Sequence, residues 1–237
     1  MCFRSPVLHF RGTVLGGQLG GEMTQQIYSR EQPSPRYQTL MAAYQDLHEN
    51  GSPEQGIEAG AMFPGQSLTE HVGHLMQLVH EYGVRTMLDY GCGKAMLYRP
   101  VNDIRLGDGR AFTCVQELLG VEVTLYDPAY LPYRQRPQGS YDLVVCTDVL
   151  EHCAEEDLPW ILDDLFAFAG KALFANIACY PAKKTLPNGE NAHCTVQPPT
   201  WWEALILTCA LRYPHVRYQF LCTSIADDDR RVDLIEG

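Results

Sequence analysis

Three aspartates follow apolar stretches of the chain, each where a buried strand is predicted to end. Asp89 lies within "RTMLDY", Asp127 closes "VEVTLYD", and Asp148 follows "YDLVVCT". In open α/β proteins the carboxyl ends of parallel strands share one edge of the sheet, and ligands bind in the crevice outside that edge. We therefore expect the three carboxylates to lie beside one ligand.

Two glycines follow the first of these acids, in "DYGCGKA". A strand that stops at such a turn exposes backbone N–H groups to a ligand, and we expect the missing Cβ atoms of Gly91 and Gly93 to let that ligand approach the backbone. A dinucleotide site would require a third glycine where this chain has Met96. The pattern therefore favours a different ligand.

Two histidines are placed by the same argument near this edge. His152 ends "DVLEH" after the strand that precedes Asp148, and His193 lies in the polar loop "LPNGENAHCT". Histidine is the side chain most often used as a general base. Each has a structural alternative, because His152 can serve local packing and His193 can be a solvated loop residue.

The elements that would position these side chains alternate along the chain. Helical spacing is found in four segments: "RYQTLMAAYQDLHEN", "LTEHVGHLMQLVHEYG", "EEDLPWILDDLFAFAG" and "PPTWWEALILTCALRY". Strands between and after them predict a doubly wound, mostly parallel sheet. We expect a flexible tail over residues 1–35, with the folded protein effectively beginning at Met23, a helical cap over 36–82, and the main domain over 83–237.

Composition limits the partners. The formal charge is −11, from 18 basic and 29 acidic residues, and no segment concentrates basic residues, which makes nucleic acid an unfavoured partner. No apolar run approaches the roughly 20 residues of a membrane helix. The nine scattered cysteines form no Cys-x-x-Cys pair, which is typical of reduced thiols in a cytoplasmic protein.

The segment "LDYGCGKA" resembles the first motif of class I S-adenosylmethionine-dependent methyltransferases. The similarity extends to Asp127 and to "YDLVVCTDVLEH", and covers about residues 84 to 235. It implies a Rossmann-like fold with S-adenosyl-L-methionine as the cofactor. The cofactor-binding residues that it implies are Asp89, Tyr90, Gly91, Gly93, Asp127, Pro128, Asp148 and Val149.

The chain departs from that family in one connection. Only 13 residues, "PAYLPYRQRPQGS", separate Asp127 from Tyr141, too few for the usual helix and strand. We expect this crossover to be reduced to a loop, so the usual adenine-contacting acid has no counterpart. The gap between Asp89 and Asp127 instead holds an insertion, "NDIRLGDGRAF".

The resemblance implies methyl transfer, and we expect O-methylation of a small hydroxylated metabolite or glycan. His193 and His152 are the catalytic candidates, no metal is assigned, and the loop from Pro181 to Pro199 is expected to recognise the acceptor. Two alternatives stay open. Asp148-x-x-Glu151-His152 with His193 is similar to the divalent-metal site of small-RNA 3′-terminal 2′-O-methyltransferases, and the chain can also be a cofactor-binding protein without turnover.

Overall fold

A computed structural model describes residues 26–226 and 229–237. Met23 and most of the predicted tail therefore lie outside the described residues. Two residues in the described part of that tail contact the rest of the protein. Arg30 forms an ion pair with Asp164 at 2.6 Å, and the buried Ser34 donates a hydrogen bond from its backbone N–H to Asp157 at 3.0 Å.

A six-stranded sheet forms the centre of the molecule. Its strands are β1 (Thr86–Tyr90), β4 (Glu122–Tyr126), β5 (Tyr141–Thr147), β6 (Ala169–Ala178), β7 (Arg217–Ala226) and β8 (Asp229–Glu236). They are ordered β4-β1-β5-β6-β7-β8, and every neighbouring pair is parallel except β7 with β8. The predicted mixed α/β fold with a mostly parallel sheet is confirmed, and it is compatible with a Rossmann-like architecture.

Helices form in all four segments for which the sequence predicts them. They are α1 (Pro35–Asn50), α2 (Val72–Tyr82), α4 (Leu158–Phe168) and α5 (Pro199–Ala210), and a fifth, short helix that the sequence does not predict, α3 (Val115–Leu119), precedes β4. The second predicted segment begins with a 3-10 turn, Ser67–His71, and ends at Gly83 in the left-handed conformation. Proline stands in the first turn of α1, α4 and α5, where a missing N–H costs nothing.

Helices cover the sheet on both faces. On one face, Leu75 and Leu78 of α2 and Val115 of α3 pack with Met87 and Phe174 of the sheet. The other face carries the larger core, in which α4 and α5 pack on the strands. Burial on both faces explains why the central strands read as continuous apolar runs rather than alternating ones.

The two N-terminal helices occupy different places. Whereas α2 packs on a face of the sheet, α1 lies across its carboxyl edge, where Leu40 and Leu47 pack with Ala129 after β4 and with Leu186 and Ala192 of the loop from Pro181 to Pro199. The predicted helical cap over 36–82 is therefore not one unit, because only α1 and the segment that follows it form a roof over this edge.

The short crossover is confirmed. Between β4 and β5 the chain forms only one 3-10 turn, Leu131–Tyr133, so β4 is an edge strand of the sheet. The predicted insertion between β1 and β4 contains a small antiparallel hairpin, β2 (Ile104–Arg105) with β3 (Ala111–Phe112).

None of the helices in the described ranges combines the length and apolar composition that a membrane span requires. The eight cysteines within those ranges are all free thiols.

Candidate functional site

A cavity of about 640 Å³ runs along the carboxyl edge of the sheet. Residues at or just after the ends of five parallel strands line it: Gly91 after β1, Asp127 after β4, Thr147 of β5, Ala178 of β6 and Ile225 of β7. One face of α1 forms the opposite wall, through Tyr37, Met41, Tyr44 and His48. Of the ten residues that the sequence singles out, nine line this cavity; Asp89 does not.

The fold of the protein requires glycine at Gly91 and Gly93 of the loop after β1. Both have positive φ angles, 84° at Gly91 and 57° at Gly93. A Cβ on Gly91 would lie 2.3 Å from Cγ2 of Val149, and one on Gly93 would lie 2.4 Å from the Phe63 carbonyl oxygen. Room for a ligand is thus not the first reason for glycine here, which corrects the expectation from the sequence. Their backbone still faces the cavity.

Asp127 is buried at the end of β4. Its Oδ2 accepts a hydrogen bond from the Gly93 N–H and its Oδ1 accepts one from the Ala129 N–H, both at 2.9 Å. A carboxylate offers about four lone-pair sites, so each oxygen keeps one for a ligand. Burial raises the pKa of this carboxyl, and the backbone hydrogen bonds oppose that rise.

Asp89 lies apart from the cavity and is only 4% exposed. Burial raises its pKa to about 7, and the charge of Asp127 acts in the same direction. Of the three aspartates expected beside one ligand, only Asp127 and Asp148 therefore line the cavity. Tyr90, the next residue after Asp89 in the chain, also lines it.

Backbone strain is concentrated around the cavity. Three residues other than glycine have positive φ angles in the described ranges: Phe63 (47°), Ala95 (51°) and Asp148 (53°). Phe63 and Asp148 line the cavity, and Ala95 belongs to the glycine loop. Such conformations cost on the order of 1–3 kcal/mol each and cluster at ligand sites. Asp148 is held by Asn176, whose amide donates to its carboxylate.

The two candidate histidines face each other with defined tautomers. His152 Nδ1 lies 2.8 Å from the Ala192 carbonyl oxygen, and His193 Nδ1 lies 2.6 Å from the Tyr180 carbonyl oxygen. A carbonyl can only accept, so both Nδ1 atoms carry a proton, and in the neutral form of each ring the lone pair is on Nε2. The rings lie 4.8 Å apart, centroid to centroid. Burial and the neighbouring His193 lower the pKa of His152 to about 3.

Glu151 completes this cluster. It is fully buried, and its Oε1 accepts a hydrogen bond from the Ala178 N–H at 3.0 Å, whereas its Oε2 has no partner among the described residues. Burial and then the charge of Asp148 raise its pKa to about 8. One ligand atom each from Glu151, His152 and His193 lies within 4.8 Å of the others. Metal–ligand distances of about 2.0–2.2 Å place neighbouring ligands on one cation roughly 3.0–3.5 Å apart, so these three side chains would have to draw closer together to share an ion.

Several residues at or near the cavity are not among those expected from the sequence. Glu151 is buried and does not itself line the cavity, and the Asp-x-x-Glu-His spacing is the only pattern in the sequence that indicates it. Tyr44 donates from its hydroxyl to the same Ala192 carbonyl oxygen that His152 contacts, at 2.9 Å. Lys183 and Lys184 line the acceptor side, and neither has an ion-pair partner in the described ranges. No spacing in the sequence indicates Tyr44 or the lysines.

The expected acceptor loop lies over the cavity. His193 is fixed within it by Asn191, whose side-chain oxygen accepts from the His193 N–H at 2.9 Å. The same amide bonds both backbone groups of Ala182, and Thr195 N–H donates to the Glu151 carbonyl oxygen at 3.0 Å. The loop is thus ordered by polar contacts of its own side chains.

No protein-family model matches this chain, and no curated protein matches it either.

Proposed function

We propose that this protein is an S-adenosylmethionine-dependent methyltransferase of class I that methylates a hydroxyl group. The observation that carries the proposal is one cavity that joins the glycine loop and Asp127 at one end to the imidazole pair of His152 and His193 at the other. The first end suits a nucleoside and the second suits a hydroxylated acceptor. Methyl transfer requires these two molecules side by side and in line.

The residues at the cofactor end fit the proposed ligand. Each oxygen of Asp127 has a lone-pair site left after its backbone hydrogen bond, and two such sites suit the paired hydroxyls of a ribose. Gly91, Gly93 and Val149 would hold the methionine part, and Pro128 would contact the nucleoside. When bound, the cofactor supplies the electrophilic methyl group.

The acceptor end fits a divalent cation. Its donors are the unpartnered Oε2 of Glu151 and two Nε2 atoms whose tautomers are fixed by carbonyl groups, and carboxylate and imidazole together suit such ions. A bound cation would polarise an acceptor hydroxyl and favour its deprotonation. His152, whose pKa is about 3, is suited to be a neutral ligand and poorly suited to be a general base at neutral pH.

The acceptor class has two candidates. A small hydroxylated metabolite or glycan is supported by the roofed cavity and by the formal charge of −11. Metal-dependent 2′-O-methylation at an RNA end is supported by the cluster of Glu151, His152 and His193 and by the unpaired Lys183 and Lys184 at the mouth. We favour the metabolite or glycan, with the RNA end as the second candidate.

Calorimetric titration with S-adenosylhomocysteine, the product form of the cofactor, tests the cofactor end. We expect binding to the intact chain, and loss of about 2–4 kcal/mol in Asp127→Ala, because two hydrogen bonds to a charged group are removed. A folded protein that binds neither S-adenosylmethionine nor S-adenosylhomocysteine would contradict the proposal.

Transfer of a labelled methyl group tests the acceptor. The panel comprises catechols, sugars and short RNA, each with and without Mg²⁺ or Mn²⁺. Metal-dependent labelling of the RNA terminus would favour the second candidate, and labelling of a small hydroxyl compound the first. Tight cofactor binding with no transfer to any acceptor would favour a binding protein without turnover.

A further inference from the structure

We propose, building on the function proposed above, that α1 supplies the adenine subsite of the cofactor, in the crevice between α1 and α4 lined by Tyr37, Met41, Pro128, Cys153 and Ile161. These residues belong to the same cavity as Asp127. The crevice lies in the space that a longer connection between β4 and β5 would occupy.

The topology leaves this place open. Because β4 is an edge strand followed by a single 3-10 turn, no further strand or helix of the described chain flanks Asp127 on that side of the sheet. The roof helix α1 covers the region instead, and Leu40 and Leu47 of α1 pack against Ala129, two residues after Asp127. A base attached to a ribose at Asp127 therefore meets α1.

The other route away from Asp127 is filled by protein. His48 stacks on Tyr130 with ring centroids 4.7 Å apart, and its Nε2 lies 4.0 Å from Asp127 Oδ2. Lys94 lies behind them and donates to the His48 carbonyl oxygen at 3.1 Å. His48 and Lys94 are each 6% exposed, so no flat ring can enter there. The crevice towards α4 remains.

The walls of the crevice suit a purine. Met41, Pro128, Cys153 and Ile161 offer apolar surface, and ligand pockets typically combine such walls with a few placed polar groups. The Tyr37 hydroxyl is one such group, because its ring lines the cavity and no hydrogen bond of the described residues satisfies that hydroxyl.

The crevice is also preorganised. Ser34, the N-cap of α1, donates from its N–H and its hydroxyl to the buried Asp157 at the start of α4, and the Ser34 hydroxyl oxygen accepts from the Tyr37 N–H at 2.9 Å. The Tyr37 ring packs edge-on against Trp160 of α4, with centroids 5.2 Å apart. These contacts fix the two walls relative to each other before a ligand binds.

Two variants test the subsite by calorimetry with S-adenosylhomocysteine and with adenosine. Met41→Trp fills the crevice and Tyr37→Phe removes only the hydroxyl. We expect Met41→Trp to weaken both ligands by at least about tenfold and Tyr37→Phe by roughly threefold to tenfold, the range of one modest hydrogen bond. Gln38→Ala, on the exposed face of α1, is the matched control and should bind like the intact chain.

A titration with Co²⁺ provides the second measurement, because two of its proposed ligands, His152 and His193, lie at the other end of the cavity. Weakened nucleoside binding with unchanged Co²⁺ binding supports the subsite. Full affinity for both ligands in folded Met41→Trp overturns it while the proposed function stands. If the intact chain binds no S-adenosylhomocysteine, the proposed function and the subsite both fall.

Discussion

At the scale of single residues, burial changes the pKa values of the candidate site's histidines and acids. His152 has a pKa of about 3 and stays neutral, whereas Glu151 beside it is a buried carboxyl with a pKa of about 8 and one unpartnered oxygen. Because burial disfavours the charged form, Glu151 is mostly protonated at neutral pH. A cation held by Glu151, His152 and His193 would favour the ionised carboxylate.

Replacing either histidine tests this assignment. His152→Ala and His193→Ala should each weaken Co²⁺ binding by at least about tenfold, comparable to losses at supporting residues of known metal sites, as followed by visible absorption. His215→Ala is the control, because His215 is exposed and precedes β7 at the opposite edge of the sheet. Unchanged Co²⁺ binding in both folded variants would remove the metal from the proposal.

The rate of methyl transfer distinguishes a general-base role of His193 from a role as a metal ligand. If His193 is a general base, His193→Ala should lower methyl transfer by roughly a hundredfold without dependence on added cation. If it is a ligand, the loss should be partly reversed by raising the concentration of the divalent cation. Near-normal turnover under both conditions would take His193 out of the mechanism.

Asp89 gives a prediction for stability. Its pKa is about 7 in the folded protein and near 3.8 when unfolded, so between about pH 4 and pH 7 the folded state holds more protons. Its contribution to stability therefore falls as the pH rises through that window. Asp89→Asn should gain stability relative to the intact chain between pH 5 and pH 8, on the order of 1 kcal/mol or more. Urea denaturation at both pH values measures this, and a difference independent of pH would contradict it.

At the scale of elements, the turn after β1 is shaped by packing against the segment after β5. Val149 occupies the space beside Gly91, and Phe63 occupies the space beside Gly93. The turn and these two neighbours thus form one interlocked unit, and the strained Phe63 and Asp148 belong to it. Substitutions in the turn are expected to affect folding before they affect ligand binding.

A double-mutant cycle tests this interlock. Gly91→Ala should cost about 1 kcal/mol or more beyond Gly120→Ala, because both positions have positive φ but only Gly91 meets another side chain. Adding Val149→Ala removes the nearest atom and should recover part of the difference. Thermal or urea denaturation of the intact chain, Gly91→Ala, Val149→Ala, the double variant and Gly120→Ala provides the free energies. Equal costs at Gly91 and Gly120 would show that the contact with Val149 does not matter.

At the scale of the whole molecule, α1 is a separate layer that depends on a few polar anchors. Ser34 ties its start to Asp157, Arg36 pairs with Glu190 of the acceptor loop at 2.6 Å, and Lys94 holds its end at the His48 carbonyl. Tyr37 also packs on Trp160 of the larger core, and the other apolar contacts of α1 form a small cluster distinct from the two cores of the sheet. The helix α1 is therefore held mainly by a smaller apolar cluster than α2, α4 and α5, which pack on the faces of the sheet.

Hydrogen exchange tests this hierarchy. Ser34→Ala removes the N-cap and one of the hydrogen bonds to Asp157, and should lower the free energy of opening of α1 by about 1–2 kcal/mol, with faster exchange of α1 amides. Amides of β5 and β6 should keep their protection, because they lie in the sheet cores. Gln38→Ala on the same helix should leave exchange unchanged. Equal acceleration in α1 and the sheet would show that the roof and sandwich open together.

The strands of the main sheet, the four longer helices and the ligand-facing edge of the sheet can be inferred from local patterns in the chain, whereas the short α3 and the β2–β3 hairpin cannot. Apolar runs ending at Asp127 and before Asp148 marked strand ends, and parallel strands must bring such ends together. The shortened connection before Tyr141 was visible as a count of residues. These features are local or follow from the rules of parallel sheets, so one chain was enough to infer them.

Which side chains meet in the cavity depends on long-range packing. Contacts of Tyr44, His48 and Lys94 join segments that are distant in the sequence, and no periodic pattern encodes such a distance. Burial gave Glu151 and His152 their shifted pKa values. Asp89 is also buried, and it does not line the cavity. The alternation of side chains along a strand fixes the face of the sheet on which a residue lies. How deeply that residue is buried, and which side chain lies opposite it across the cavity, depend on how α1 and the loop from Pro181 to Pro199 pack over the sheet.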